Sequence, residues 1–463
     1  MLKAILYFTK LNFPLNFLKN YFKGHTRGAK AKRQILYSIV IKGFSVIIGL
    51  FYVPLLLEYL TQEKYGIWLT LTSVLGWFSF FDIGMGHGLR NKLTIALANS
   101  DFSLGRKLIS TTYALLICIF SIVLLVFHLS NFFLNWNSIL NTKTIDNYEL
   151  YILTSIVFTF FIIRFIFQII SVVYLADQKP TATGMIATSG NLLSFLIVLL
   201  LTRITITGDL VLLGTIISAV PVLLLFVVTI ISFNTKYKNL KPSLKEIDFK
   251  ASKGIMNLGV KFFFMQITYL IVFTTSNFFI AQFYGPGEVA VYNIAFKYFQ
   301  IPTMIFGIFM SPVWSAVTDA YAKSDYAWLK KTLKYANILS GLFGLGVILM
   351  IFISNWVYKI WIGDEIIIPY GLSITLGFYI ILDLFITPYT YFINGIGKLK
   401  LTISLTFLSI LIYLILIYVF GNIFKNSSGI VWSIVGGQIL MIFIQPMQTY
   451  KLLNKTARGI WNK

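Results

Sequence analysis

Six ionisable side chains stand inside long apolar runs of this chain: Lys42, Arg164, Lys261 and Lys297 among the bases, Asp82 and Asp383 among the acids. A base at mid-bilayer facing lipid costs on the order of 2.5–3.5 kcal/mol on insertion scales, so such residues are expected to face protein or a wet cavity. Arg offers phosphate a planar two-pronged fork and Lys a point charge. Four such groups around one cavity would attract an anionic headgroup. Lys42 and Lys261 lie seven or eight residues from the nearer ends of their runs, about 10–12 Å at the helical rise, which a snorkelling ammonium also accounts for. Arg164 and Lys297 lie deeper. The structural alternative for Arg164 is an ion pair with Asp383, which would leave neither charge uncompensated; Asp383 otherwise reads as a titrating coupling-ion site. Asp82, near the end of its run, is placed to cap, to pair with Arg90 or Lys92, or to gate.

His87 lies within a glycine-rich string, Gly84-Met85-Gly86-His87-Gly88, which Arg90 and Lys92 follow. It lacks the preceding strand and the following Lys-Ser/Thr of a phosphate-cradling P-loop, so it reads as a glycine helix end. His87 beside Arg90 stands where an anionic headgroup would enter from the cytoplasm, or is a solvated interfacial histidine.

The elements that position these residues are membrane helices. The chain has 463 residues, 57% hydrophobic and 12% charged, with mean hydropathy +0.82; soluble domains carry about 25% charged residues. Runs of about 20 apolar residues span a bilayer. Twelve are expected, near 35–58, 65–88, 108–129, 150–174, 183–202, 210–232, 254–282, 289–313, 332–353, 367–389, 401–420 and 429–450. Between the first two, the bend Thr61 to Lys64 carries Glu58, Glu63 and Lys64, whereas the far end carries Arg90 and Lys92 without a nearby acid. The positive-inside bias then puts the bend outside. Sorted by that topology, Lys64, Lys143, Arg203, Lys359 and Lys425 lie outside, four bases lie within spans, and the rest of the 38 Lys and Arg face the cytoplasm with both termini. The net charge of +22 is thus the charge of one membrane face and implies no nucleic-acid partner.

Residues 1–34 hold eight Lys or Arg and no acid, and their apolar run Ala4 to Phe8 is short of the ~7–15 residues of a signal-peptide core. An interfacial segment or a basic tail is expected there. Cys118, within an apolar run, reads as a buried structural thiol.

The basic connection 234–253 falls near mid-chain and divides the sequence into 1–34 (basic segment), 35–233 (first six-helix lobe), 234–253 (linker), 254–450 (second lobe) and 451–463 (basic tail). Lys42 and Lys261, Arg164 and Asp383, and Lys179 and Lys398 are each separated by the same interval, with FIIRFI and IILDLF around the middle pair. With an even number of spans per half, such a repeat is parallel, related by an axis along the membrane normal. Pro54, Pro221, Pro302 and Pro312 lie where they would bend spans.

Tyr65-Gly66-Ile67-Trp68, Phe81-Asp82-Ile83-Gly84 and Gly88-Leu89-Arg90-Asn91-Lys92, within Lys42 to Lys107, resemble the Wzx-type polysaccharide flippases of the multidrug/oligosaccharidyl-lipid/polysaccharide (MOP) exporter superfamily. The resemblance implies an all-α, MATE-like fold of two six-helix bundles in a bacterial inner membrane. It also implies alternating-access transport of undecaprenyl-pyrophosphate-linked oligosaccharide (an O-antigen or capsule repeat unit), without a cofactor and as a monomer. Membrane lipids and other polysaccharide-assembly proteins are the remaining expected partners. A drug exporter of the same superfamily is the first rival, but it would present acids to a cationic substrate, whereas the spans hold four cations against two acids. A membrane enzyme is the second rival; the longest external connection, Ser130 to Glu149, offers it only Asp146, Glu149 and Lys143.

Overall fold

The computed structural model describes residues 25–78, 85–177, 179–204, 208–248, 275–364 and 366–462, for some of them, such as His87, the backbone alone. In chain order the helices are α1 (His25–Tyr59), α2 (Gln62–Gly76), α3 (Met85–Ala98), α4 (Phe102–Asn131), the single turn α5 (Trp136–Leu140), α6 (Asn147–Phe167), α7 (Ile169–Ala176), α8 (Pro180–Ile204) and α9 (Leu210–Asn234). After a helical stretch over 275–284 come α10 (Pro286–Ala322), α11 (Tyr326–Ile362), α12 (Tyr370–Ile396), α13 (Lys400–Ile423) and α14 (Ser428–Leu453). Ten helices among the described residues are long and apolar enough to cross a membrane, α6 and α7 counting as one. The protein is an all-helical, multi-pass membrane protein.

The acids explain where several spans begin. Asp101, Asp146, Asp209 and Asp325 each accept a hydrogen bond from a backbone N–H in the first turn of α4, α6, α9 and α11. An N-terminal carboxylate both satisfies an orphan donor and meets the positive end of the helix dipole. Leu125 and Phe352 are among many large apolar side chains left exposed along the helices, as a lipid-facing surface requires.

In the first half, α1 packs on α8, α8 on α9, and α9 on α6; in the second, α12 packs on α10, α11 and α14, and α14 on α13. The halves meet chiefly through α2 and α10. Gly66 sets that contact, because a Cβ built on it would lie 1.6 Å from the Pro286 carbonyl oxygen.

Several expectations need correction. The run 65–88 does not stand as one helix among the described residues: α2 ends at Gly76, and α3 is described from Met85, with 79–84 outside the described residues. Gly86 and Gly88 therefore lie inside a helix rather than ending one, and Arg90 and Lys92 project from its interior. Cys118 is exposed, because it sits on the outward face of α4. The linker is no slack connection up to Asp248. Arg106 donates to the Lys241 carbonyl (2.9 Å), and Ser110 and Thr111 hydroxyls accept from the Ser243 and Asp248 amides (3.0 and 2.9 Å). Leu240 fills the space that Gly105 leaves open on α4.

Candidate functional site

A cavity of about 240 Å³ lies where α1, α2, α8 and α9 of the first half meet Lys297 of α10 in the second. The helix period explains its wall on α1. Ser45, Gly49, Tyr52 and Leu56 recur at intervals of three and four residues, so they share one face. Gly49 opens space there, since a Cβ on it would meet no atom within 4 Å.

Tyr65 and Trp68 enter from the first two turns of α2, and Gly214 on α9 lets Trp68 pack close, its built Cβ lying 3.1 Å from the indole. Asn191 and Ser194 stand one turn apart on α8. Lys297 Nζ donates to Tyr65 Oη at 3.4 Å, and no acid lies among the lining residues. Two hydroxyls on this wall, Tyr52 Oη and Ser194 Oγ, are buried without a hydrogen-bond partner among the described residues.

The residues marked in the sequence separate in space. Lys297 lies in the cavity. Lys42 is exposed and sits one turn beyond Ser45 on the same face of α1, on the side away from the bend. Arg164 is on α6 and is exposed. It forms no ion pair with Asp383. The two stand on α6 and α12, which belong to different halves and do not pack extensively together. Asp383 is instead within electrostatic reach of Tyr391 on its own helix. Arg90 is exposed and Lys92 half-buried on α3. Lys261 and Asp82 lie outside the described residues, as does the side chain of His87.

Sequence reasoning gave no role to Tyr52, Trp68, Asn191 or Ser194. The stripe from Lys42 through Ser45 and Gly49 to Tyr52 was the available signal, a polar and small face on an otherwise apolar helix.

Hydrogen bonds that join the halves among the described residues gather toward the end of the molecule that holds the bend. Gln62 donates to the Gly287 carbonyl (3.1 Å), Asn141 to Ala281 (2.9 Å), Gln282 to Ile139 (2.8 Å), Asn277 to Ser73 Oγ (2.8 Å), and the Trp361 indole to the Leu50 carbonyl (2.9 Å). The cavity lies just beneath this closure.

The profile of the family described as "Polysaccharide biosynthesis protein" matches residues 31–317, well over half of the chain. The chain belongs to this family. The MatE profile matches residues 262–419 of the same family member. A Yersinia pseudotuberculosis protein named for O-antigen export is 22% identical over 79% of this chain and 84% of its own length. A Salmonella typhi protein named as an O-antigen transporter is 23% identical over 70% and 73%. An inward-facing multidrug resistance MATE transporter of the MOP superfamily superposes with a TM-score of 0.73 at 14% identity, covering 91% of this chain and 100% of its own. This polysaccharide biosynthesis family member therefore has the fold of the MATE transporters.

Proposed function

We propose that the chain is a flippase that carries a lipid-linked oligosaccharide, borne on undecaprenyl pyrophosphate, across a bacterial inner membrane by alternating access. The observation that carries this reading is Lys297: one half presents a cation, with no acid beside it, into a cavity built by the other half. Such a cavity favours an anionic substrate and rejects the cationic ones that a drug exporter would take. The names of the Yersinia and Salmonella relatives support a polysaccharide cargo. The polyprenyl tail stays in lipid while the glycan and headgroup pass between two lobes, 35–233 and 254–450, which rock about the α2–α10 contact. The termini and the linker face the cytoplasm, on the strength of the Lys and Arg bias.

Expression in bacteria deleted for their own O-antigen or capsule flippase, with surface polysaccharide measured across several glycan types, tests the proposal. Restored export of at least one acidic glycan supports it. Efflux of cationic dyes without restored export would establish the drug-exporter reading instead.

A further inference from the structure

Resting on the alternating-access reading, we infer that the segment 132–146 between α4 and α6 is a lid carried by the first half, latched to the second by an exchange of amide hydrogen bonds that each transport cycle breaks and remakes. The segment is folded on itself. The Trp136 indole donates to Asn131 Oδ1 (2.6 Å), and Asn147 Oδ1 accepts from the backbone N–H groups of Trp136 and Asn137 (2.8 and 3.3 Å). Asn137 Nδ2 donates to both the Thr142 and the Ile145 carbonyls (3.1 and 2.7 Å). With Trp136 also buried, the segment moves as one piece.

Its hold on the first half is charged. The Thr142 and Thr144 hydroxyls donate to Glu63 Oε1, in the first turn of α2, at 3.0 and 3.1 Å, and Asn131 at the root of the segment donates to Ser155 Oγ on α6 at 2.8 Å. Hydrogen bonds to an ionised group are roughly twice as strong as neutral ones.

Its hold on the second half is neutral and reciprocal. Asn141 Nδ2 donates to the Ala281 and Gln282 carbonyls (2.9 and 3.3 Å), and Gln282 Nε2 donates to those of Ser138 and Ile139 (3.3 and 2.8 Å). All four carbonyls stand in the last turns of helices, α5 and the stretch 275–284, where C=O groups are left for a cap or for water to satisfy. Asn141 ends α5 in the left-handed conformation, φ 51°, that asparagine tolerates at a helix end. The exchange is largely open to solvent, so water takes over these groups when the halves part and nothing is left buried and unpaired. Separation therefore breaks the amide exchange and leaves the lid on Glu63.

Spin-label distances in the full-length protein in nanodiscs provide the test, with Cys118→Ser as background because Cys118 is the chain's one cysteine. The labels replace Lys143 of the lid, Arg203 of the first half and Lys425 of the second, all exposed and none part of the latch. The lid predicts one narrow Lys143–Arg203 distance and two Lys143–Lys425 populations, the longer one gaining severalfold in Asn141→Ala and in Gln282→Ala. In cells, bridging Asn141→Cys to Gln282→Cys with a short bis-methanethiosulfonate should stop export until a reductant is added. The same bridge between Glu63→Cys and Thr144→Cys should leave export as it is in the reduced protein. A Lys143–Arg203 distance that spreads together with Lys143–Lys425 would make the segment a flap with its own hinge and overturn the inference. So would a single Lys143–Lys425 distance unmoved by either alanine, or export through the bridged Asn141–Gln282 pair. The distances need no substrate, so failure of the flippase reading would show in export and failure of the lid in the distances.

Discussion

Trp361 of the second half donates its indole N–H to the carbonyl of Leu50 in the first, at 2.9 Å. Pro54 is the reason that the carbonyl is free. In α1 the Leu50 oxygen would ordinarily receive the N–H four residues on, which proline lacks, and in a membrane an orphan carbonyl must find another donor. The bond thus ties the halves together at a vacancy built into the sequence. Its loss in Trp361→Phe, at roughly 1 kcal/mol for a hydrogen bond, shifts the population away from the bend-closed arrangement by about fivefold. Pro54→Ala restores an N–H within α1, so Trp361→Phe added to it has a smaller effect. Spin-label distances between Thr61 and Lys425 across the closure report both; simple additivity of the two substitutions would refute the linkage.

Gly66 makes a sharper prediction. A methyl at this position overlaps the Pro286 carbonyl oxygen, and backbone on both sides leaves no side chain free to yield. Gly66→Ala is expected to cost at least the 1–3 kcal/mol or so typical of overpacking, lowering the thermal midpoint and opening the α2–α10 contact. An unchanged midpoint with normal export would show that the halves are not held as closely as described.

These two residues show what was legible in the sequence. The bend and most spans from α4 onward followed from hydropathy, because a bilayer imposes length and apolarity on any segment that crosses it; of the twelve expected spans, ten stand among the described residues, 65–88 divides between two shorter helices, and most of 254–282 lies outside the described residues. The Tyr65 to Trp68 motif was visible, but the reason for its glycine was not, since Pro286 lies more than two hundred positions away. Pairing Arg164 with Asp383 failed for a related reason. Equal spacing in a parallel repeat places the two at equivalent points of different halves, and equivalence under a twofold is not contact. Lys297 was recognisable from depth in its span; the orphaned hydroxyls of Tyr52 and Ser194 required the packing of four helices.

At the other end of the molecule Asp177 ties the linker to the loop between α7 and α8. Lys179, Lys236 and Tyr237 all donate to its carboxylate. Burial alone would raise its pKa, but the hydrogen bonds from these three outweigh it and hold the carboxyl below its ordinary value of 3.8. A depressed folded-state pKa contributes stability that is present above the unfolded value and is lost as pH falls through the folded one. Hydrogen exchange at Tyr237, whose amide donates to the Ser232 carbonyl at 2.9 Å, should stay protected from neutral pH down to about 4 and loosen only below that. Asp177→Asn should weaken protection at every pH; equal protection in variant and parent would remove the tie.

Lys42 and Lys297 should differ in consequence. Lys42, exposed one turn outside the cavity, assists approach, so Lys42→Ala should reduce transport at low substrate and little at saturation, by raising the substrate concentration required. A fall in the saturated rate as large as that of a cavity substitution would place Lys42 inside the site.

The most direct measurement is movement of a pyrophosphate-linked acidic glycolipid across proteoliposomes containing the parent chain, Lys297→Ala or Lys297→Arg at matched abundance. The cavity account predicts near-complete loss in Lys297→Ala, and partial retention in Lys297→Arg because the charge remains. Transport by Lys297→Ala at the parental rate would contradict it.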